Sequence, residues 1–509
     1  MNQSRVLNTK RNIISSILKQ FLGIVLPFIA RTIVLRKLGA QYQGLDSLFK
    51  SVLYVLNLAD LGFSSAVIYA LYKPVANGDN KLICAIMAYL KRVYRIVGMV
   101  ILLVGLAIMP VLPLLISSDY PAELNISVLY LIYLANAVVS YWGFAYKNAL
   151  LIAIQREDVT NNIYSLTSAG LRIAQILLLI ITSNYYIYVL IIPIFTIINN
   201  LLTAVYSKRI CRDIEAKGTI PSGIHNELTK QIKGIVVCKI GDIARNGCDS
   251  IFISAFLGLV AVAVYDNYYY IFAAVHGITL AISNAIQGSI GNSIAVESTE
   301  KNYHDLNKFS FLFAWITGWF AICMCCLYQP FMKIWMSGNS GMLMADHNMI
   351  LFVLYYYAIS MNNIRNLYVN GVGLFWELRL SYIWEAAGNV VLNLALGYFF
   401  GITGIIVATI ITVFVCNFIT RTNVLFKSYF TRSPAEFYHK HMIWFAIFVI
   451  NCIITYILCT AISIEGIIGL LLKGIVCIII PNVIFYITYC RTSMFNESAG
   501  FIRRVLKKR

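Results

Sequence analysis

Long apolar runs separated by short polar clusters are the dominant pattern along the 509 residues of this chain. Each run is close to the roughly 20 residues that an α-helix needs to cross a bilayer. The pattern predicts an all-α polytopic membrane protein with about fourteen transmembrane helices. The predicted segments are 12–35, 46–72, 93–116, 124–153, 160–183, 185–206, 233–257, 263–290, 309–336, 349–374, 380–400, 402–426, 441–462 and 467–490.

Composition supports the same class. Apolar residues make up 60% of the chain and charged residues 12%, with a mean hydropathy of +0.76. A soluble domain is about 45–50% apolar and about 25% charged, so an ordinary soluble enzyme, a disordered chain and a secreted disulfide scaffold are excluded.

The run 12–35 is longer than the core of a signal peptide and lacks a small-residue cleavage site, which favours a first spanning helix.

The basic residues indicate the orientation of the chain. The formal net charge is +18, and Lys and Arg collect in the cytoplasmic loops of membrane proteins. The loops after even-numbered segments, the linker 207–232 and the C-terminal tail are basic, whereas the other loops hold few basic residues beyond Arg36 and Lys37. This asymmetry predicts that both termini are cytoplasmic. It explains the charge without a nucleic-acid partner, and the tail could also touch anionic membrane lipids.

A weak internal repeat recurs at an offset of 218–220 residues. The matched pairs are Leu38-Gly39 with Leu257-Gly258, Asp46 with Asp266, Tyr164 with Tyr382, Ala169-Gly170 with Ala387-Gly388, Asn199 with Asn417, and Arg209 with Lys427. A repeat in a transporter places the binding site between the two halves. The predicted organisation is a six-helix bundle (1–207), a cytoplasmic linker (208–232), a second six-helix bundle (233–427), two extra helices (428–490) and a basic tail (491–509).

Charged side chains within the apolar runs are the candidate functional residues, since each costs about 2.5–3.5 kcal/mol at mid-membrane on insertion scales. In the seventh segment, Lys239, Asp242, Asn246 and Asp249 share one helix face, and Arg245 lies close to it. These residues either neutralise one another for insertion or line a water-filled cavity.

Other segments carry single polar residues, for which a structural role is the alternative. Lys19 is expected to extend to the inner surface, and Asp46 and Asp266 are expected to cap helices. The remaining candidates are Arg31, Asp60, Arg172, Arg365 and Glu385.

The tyrosine triplets and the cysteines are interpreted as residues that pack the structure, not as a binding or metal site. Tyr268–Tyr270 and Tyr355–Tyr357 are interpreted as aromatic belts at the membrane surface, with stacking against a sugar as the alternative. Cys323, Cys325 and Cys326 lie in an apolar run without histidine or carboxylate neighbours, so no metal site is predicted.

Two stretches resemble a known family. Residues 31–73, RTIVLRKLGAQYQGLDSLFKSVLYVLNLADLGFSSAVIYALYK, contain an LG, a GLDSLF turn, a DLG and the start of an LYKP. Residues 239–258, KIGDIARNGCDSIFISAFLG, place an acidic residue before an apolar run ending in FLG. Both are similar to Wzx-type polysaccharide flippases of the multidrug/oligosaccharidyl-lipid/polysaccharide exporter superfamily.

The resemblance implies two six-helix bundles forming a V, with two further helices, in the inner membrane of a bacterium. Its implied cargo is a polyprenyl-pyrophosphate-linked oligosaccharide, flipped from the inner to the outer leaflet by alternating access. A polysaccharide polymerase or glycosyltransferases would be the partner enzymes.

Pyrophosphate requires cations, and guanidinium matches phosphate oxygens with paired donors. The predicted cavity is therefore cationic, with no catalytic residue, no metal and no cofactor beyond a possible coupling H⁺ or Na⁺. The candidates for substrate binding are Arg31, Lys239, Arg245, Arg365 and Arg172. The candidates for ion coupling or counter-charge are Asp60, Asp242, Asp249 and Glu385.

Two alternatives remain open. A drug or metabolite antiporter of the same superfamily, coupled to a cation, would share the architecture. A membrane enzyme such as a polymerase would need a long outer loop with catalytic acids, whereas the longest predicted outer loop, 338–348, holds the single acid Asp346.

Overall fold

The structure, a computed structural model, describes residues 2–56, 63–117, 120–223, 247–337 and 340–507, with the isolated positions 229, 241, 243 and 245. Within these residues the regular structure is helical throughout. Nine described helices are long and apolar enough to cross a membrane, or ten if one bent pair forms a single span. Each of the fourteen predicted segments overlaps a described helix. The chain is therefore an all-helical, multi-pass membrane protein.

The chain divides into two compact units, unit 1 (Met1–Ala263) and unit 2 (Val264–Arg509). In unit 1, α1 packs along α7, α7 along α8, and α5 against both α4 and α8. The helices of unit 1 are α1 (Asn2–Lys37), α2 (Ala40–Leu56), α3 (Phe63–Asn77), α4 (Asn80–Ile108, extended by a 3₁₀ turn Met109–Leu115), α5 (Ile126–Trp142), α6 (Lys147–Ala153), α7 (Glu157–Thr182), α8 (Tyr185–Ile210) and α9 (Gly247–Leu257).

In unit 2, α11 is the centre, because α12, α16, α17 and α18 all pack against it. The helices are α10 (Leu259–Val296, which begins in unit 1), α11 (Thr299–Trp335), α12 (Asp346–Met361), α13 (Asn363–Val372), α14 (Arg379–Thr412), α15 (Arg421–Leu425), α16 (Ala435–Thr460), α17 (Gly466–Tyr489) and α18 (Ser493–Lys507). Two π-helical segments, Val413–Thr420 and Phe426–Phe430, flank α15.

Side-chain caps fix where several helices begin. The carboxylate of Asp79 accepts a hydrogen bond from the Leu82 amide at the start of α4, at 3.0 Å. Asn125 caps α5 and Asn184 caps α8 in the same way. Each cap satisfies backbone amides that have no partner within the first helical turn.

Two glycines terminate helices in equivalent places. Gly39 separates α1 from α2 with a φ of +102°, and Gly258 separates α9 from α10 with a φ of +82°. Side chains other than hydrogen are disfavoured at positive φ, so glycine permits each sharp change of direction. The two positions are a matched pair of the predicted repeat, and their shared conformation agrees with it.

The belt interpretation is wrong for Tyr268 and Tyr355–Tyr357, which are buried, whereas Tyr269 and Tyr270 are half-buried. Tyr268 and Tyr356 are fully buried, and Tyr355 stacks on Phe272 with ring centroids 4.5 Å apart. The Tyr268 hydroxyl donates to Gln329 Oε1 at 2.6 Å. These rings pack α10, α11 and α12 together, and the Tyr268 hydroxyl has the partner that a buried tyrosine usually finds.

Candidate functional site

Asp46 and Lys50 form an ion pair on one face of α2. Lys50 Nζ lies 2.5 Å from Asp46 Oδ2, and the Tyr133 hydroxyl of α5 donates to Asp46 Oδ1 at 2.5 Å. The prediction that Asp46 caps a helix is wrong, because the residue lies one and a half turns inside α2. Asp266 likewise lies inside α10.

Buried tyrosines hold this pair in place. The Tyr133 and Tyr185 hydroxyls are 3.4 Å apart, and the Tyr185 hydroxyl donates to the Tyr42 carbonyl at 3.3 Å. The Tyr42 hydroxyl in turn donates to Glu123, in the loop before α5, and this bond lowers the pKa of Glu123. The tyrosines thus connect α2, α5 and α8 around the Asp46 carboxylate.

Arg31 and Arg172 contribute further positive charge. The charges of both arginines act on Lys50, and that of Arg31 also acts on Asp46. Arg172 donates to Gln175 at 2.9 Å, and Gln175 is itself held by the Tyr188 carbonyl at 2.9 Å. Arg31, Asp46, Lys50 and Arg172 are called the cationic cluster below; their formal charges sum to +2.

Lys50 is the most accessible member of the cationic cluster, whereas Arg31 and Arg172 are half-buried. The side chain of Asp46 is 13% exposed, whereas that of Lys50 is 48% exposed. The group carries three cations and one carboxylate, and a charge-assisted bond to phosphate is among the stronger hydrogen bonds. The arrangement suits recognition of a negatively charged group.

Lys50 is absent from the candidates that the sequence suggested. A signal for it exists, because Asp46 and Lys50 are four residues apart and such pairs meet on a helix face. Lys19, in contrast, donates to Asn161 near the start of α7 at 3.0 Å. Its extension to the inner surface stays a prediction.

Two of the candidate residues in the seventh segment, Arg245 and Asp249, are described, and both are buried. Arg245 is 7% exposed and Asp249 is 3% exposed, within unit 1. Their burial keeps both side chains away from lipid, and the choice between mutual neutralisation and the lining of a cavity stays open. Lys239, Asp242, Asn246 and Asp60 lie outside the described residues.

Arg365 is buried and hydrogen-bonded to other residues of unit 2. It is 1% exposed, and its guanidinium donates to the carbonyl of Asn417 at 2.5 Å and that of Phe418 at 3.1 Å. It also donates to the side chains of Asn417, Thr422 and Asn366. Arg365 thereby ties α13 to the π-helical segment Val413–Thr420. This geometry favours a structural role over substrate binding.

Glu385 has a counter-charge that the sequence analysis did not identify. It pairs with Arg421 of α15, with 0% of the Glu385 side chain and 4% of the Arg421 side chain exposed. The Arg421 guanidinium also lies over the Tyr382 ring, 3.7 Å from its centroid. Of the two roles left open for Glu385, counter-charge is the one that this geometry favours.

Three cysteine thiols meet among α11, α16 and α17. Cys326, Cys459 and Cys477 are buried, with their sulfur atoms within 4.8 Å of one another. Within the described chain this is the one group with the spacing to hold a metal ion, and thiolates would suit a soft metal. Three thiolates in an apolar interior would carry a large desolvation cost, so packing remains the better interpretation.

Unit 2 also contains a large apolar groove. Its volume is about 780 Å³, and the π-helical segment with α12 and α16 forms its walls. Its lining residues include Leu354, Met361, Phe414, Met442 and Phe445. A groove of this kind fits an extended hydrocarbon chain.

No protein-family model and no curated protein sequence matches the chain. Solved structures do match. The fold is similar to that of a lipid II flippase, MurJ, in an inward closed conformation. The TM-score is 0.67 at 13% identity, covering 95% of this chain and 99% of that chain.

MATE transporters match as well. A Vibrio cholerae MATE transporter, VcmN, has a TM-score of 0.59 at 13% identity, covering 84% of this chain and 99% of that one. An inward-facing multidrug resistance MATE transporter of the MOP superfamily has a TM-score of 0.57 at 14% identity, covering 80% and 96%. Similarity at this level of identity shows a shared fold. The chain has the fold of the MurJ flippase and the MATE transporters of the MOP superfamily.

Proposed function

We propose that the protein is a flippase that moves a polyprenyl-pyrophosphate-linked oligosaccharide from the inner to the outer leaflet by alternating access. The observation that carries this proposal is the near-complete match to a lipid II flippase. It leaves about one residue in twenty uncovered, about 25 of 509. That is fewer than the 26 residues of α16 and 24 residues of α17 together. The match therefore covers part of at least one of these two last spanning helices.

The physical need for such a protein lies in the cargo. A glycan carries many hydroxyl groups, and each costs several kcal/mol to place in hydrocarbon without a partner. A polar path removes that cost, while the prenyl tail stays in lipid or in an apolar groove such as the one in unit 2.

The cationic cluster supports an anionic cargo. Arg31, Lys50 and Arg172 together outnumber the single carboxylate of Asp46 in this group. We propose that Arg31, Arg172 and Lys50 bind the pyrophosphate. Lys239 and Arg245 remain candidates for the same role. Arg365 is omitted because both of its terminal NH₂ groups donate to protein carbonyls and side chains.

A drug or metabolite antiporter is the second candidate, since MATE transporters share the fold. A cationic drug would be repelled by the cationic cluster, which favours the flippase. Coupling to H⁺ or Na⁺ remains part of the proposal, with Asp249, Asp242 and Asp60 as the candidate carboxylates. Glu385 is less suited to this role because Arg421 neutralises it.

The proposed setting is the bacterial inner membrane with both termini cytoplasmic. Membrane lipids surround the protein, and a polysaccharide polymerase or glycosyltransferases are the proposed partners.

Deletion of the gene in the native host tests the proposal. We expect loss of a surface polysaccharide and accumulation of its lipid-linked precursor in the cytoplasmic leaflet. Expression of Lys50→Gln should fail to restore export, whereas Lys37→Gln, an exposed control at the end of α1, should restore it. Unchanged polysaccharide with increased sensitivity to cationic drugs would favour the antiporter.

A further inference from the structure

A second concentration of positive charge lies in unit 1, away from the cationic cluster. A pocket of about 270 Å³ forms where α4, α6 and α8 meet the segment that follows α8. This is the end of unit 1 that the charge pattern predicts to be cytoplasmic. Five cations line the pocket: Lys91, Lys147, Lys208, Arg212 and Lys217.

The pocket lining contains too few carboxylates to neutralise these five cations. Glu215 is the one carboxylate among its lining residues, and it pairs with Lys217. Lys208 and Arg212 make no hydrogen bond or ion pair with another residue in the described part of the chain. The positive charges of Lys208 and Lys91 both act unfavourably on Lys147. An anion in the pocket would relieve this repulsion.

Neutral groups complete the wall. Tyr146 and Ser207 are buried lining residues, and Lys91 lies over the Tyr146 ring at 5.8 Å from its centroid. Hydroxyl donors beside several ammonium and guanidinium groups are the chemistry that binds phosphate oxygens. We propose that this pocket binds a phosphate-bearing anion, supplied either by a lipid headgroup or by a soluble phosphate compound.

The tendency of basic residues to collect in cytoplasmic loops would explain how many there are at this end of unit 1. It would not explain why five of them line one pocket. Arg92 and Arg209 are exposed neighbours of Lys91 and Lys208 on the same helices, yet neither lines the pocket. They supply matched controls, because their removal changes the net charge equally and leaves the pocket intact.

The test measures binding of inorganic pyrophosphate to the purified full-length protein in neutral detergent by calorimetry. We expect Lys208→Gln and Lys91→Gln each to weaken binding by about tenfold, the loss of roughly one charge-assisted hydrogen bond. Arg209→Gln and Arg92→Gln should change it by less than about twofold, since surface charges are screened by salt. Size-exclusion profiles verify the fold of each variant.

A second arm distinguishes the sources of the anion. Native mass spectrometry compares retention of phosphatidylglycerol and phosphatidylcholine by the same four variants. Selective retention of phosphatidylglycerol that is lost in Lys208→Gln, and displaced by pyrophosphate, assigns a lipid headgroup. Pyrophosphate binding without such retention assigns a soluble phosphate. Absence of both, or equal losses in the pocket variants and their controls, overturns the proposal.

Discussion

Glu385→Gln should destabilise unit 2 strongly, because it removes the carboxylate from a buried cationic network. The Glu385 side chain is completely buried and pairs with Arg421, whose charge also acts on the buried Arg365. Without the Glu385 carboxylate, the buried guanidinium groups of Arg365 and Arg421 lose the negative charge that acts on both of them. Breaking a buried ion pair by removing one partner costs about 3–5 kcal/mol.

The assay is the thermal midpoint of the purified protein, followed by fluorescence-detected size exclusion, with abundance in the membrane measured alongside. Glu377→Gln is the control, since Glu377 is exposed and the charge change is identical. Combining Glu385→Gln with Arg421→Gln should recover part of the stability, because no unpaired charge then remains at this pair. Equal midpoints for Glu385→Gln and Glu377→Gln would refute the argument that the pair is structural.

Three further predictions concern unit 1. Arg31→Ala should abolish glycan export at normal abundance while Arg31→Lys keeps part of it, because lysine retains the charge but loses the paired donors; full export by the alanine variant would remove Arg31 from the site. Asp249→Ala should reduce abundance or transport more than Asp249→Glu, measured by immunoblot and export, and wild-type behaviour would exclude both an ion site and a needed pairing. Lys217→Cys in a cysteine-free background should resist labelling by a membrane-impermeant maleimide in intact cells, and labelling would reverse the predicted orientation.

The spanning helices could be predicted from the sequence because each apolar run is long enough to cross a bilayer. The break after α1 and the break before α10 could also be anticipated, since Gly39 and Gly258 recur within one repeat offset. These features depend on local pattern, which a single sequence displays directly.

The partners of buried charges could not be predicted, because they come from distant parts of the chain. Arg365 bonds to carbonyls about fifty residues later, in a π-helical segment that no apolar pattern distinguishes from an α-helix. Arg421 is not among the predicted site residues because it lies close to the end of the predicted segment 402–426. In the structure it is buried against Glu385. Lys50 is not among the predicted residues although its spacing from Asp46 is visible in the sequence, because a helix cap does not require a partner four residues later.

The central claim is tested most directly by transport of a polyprenyl-pyrophosphate-linked oligosaccharide in proteoliposomes. The lipid is placed in one leaflet, and its glycan is detected in the other by an impermeant glycosidase or lectin. We expect the glycan to appear in the second leaflet much faster with the protein than in protein-free vesicles, and Lys50→Gln to slow its appearance. Exposure no faster than in protein-free vesicles, under both H⁺ and Na⁺ gradients, would contradict it.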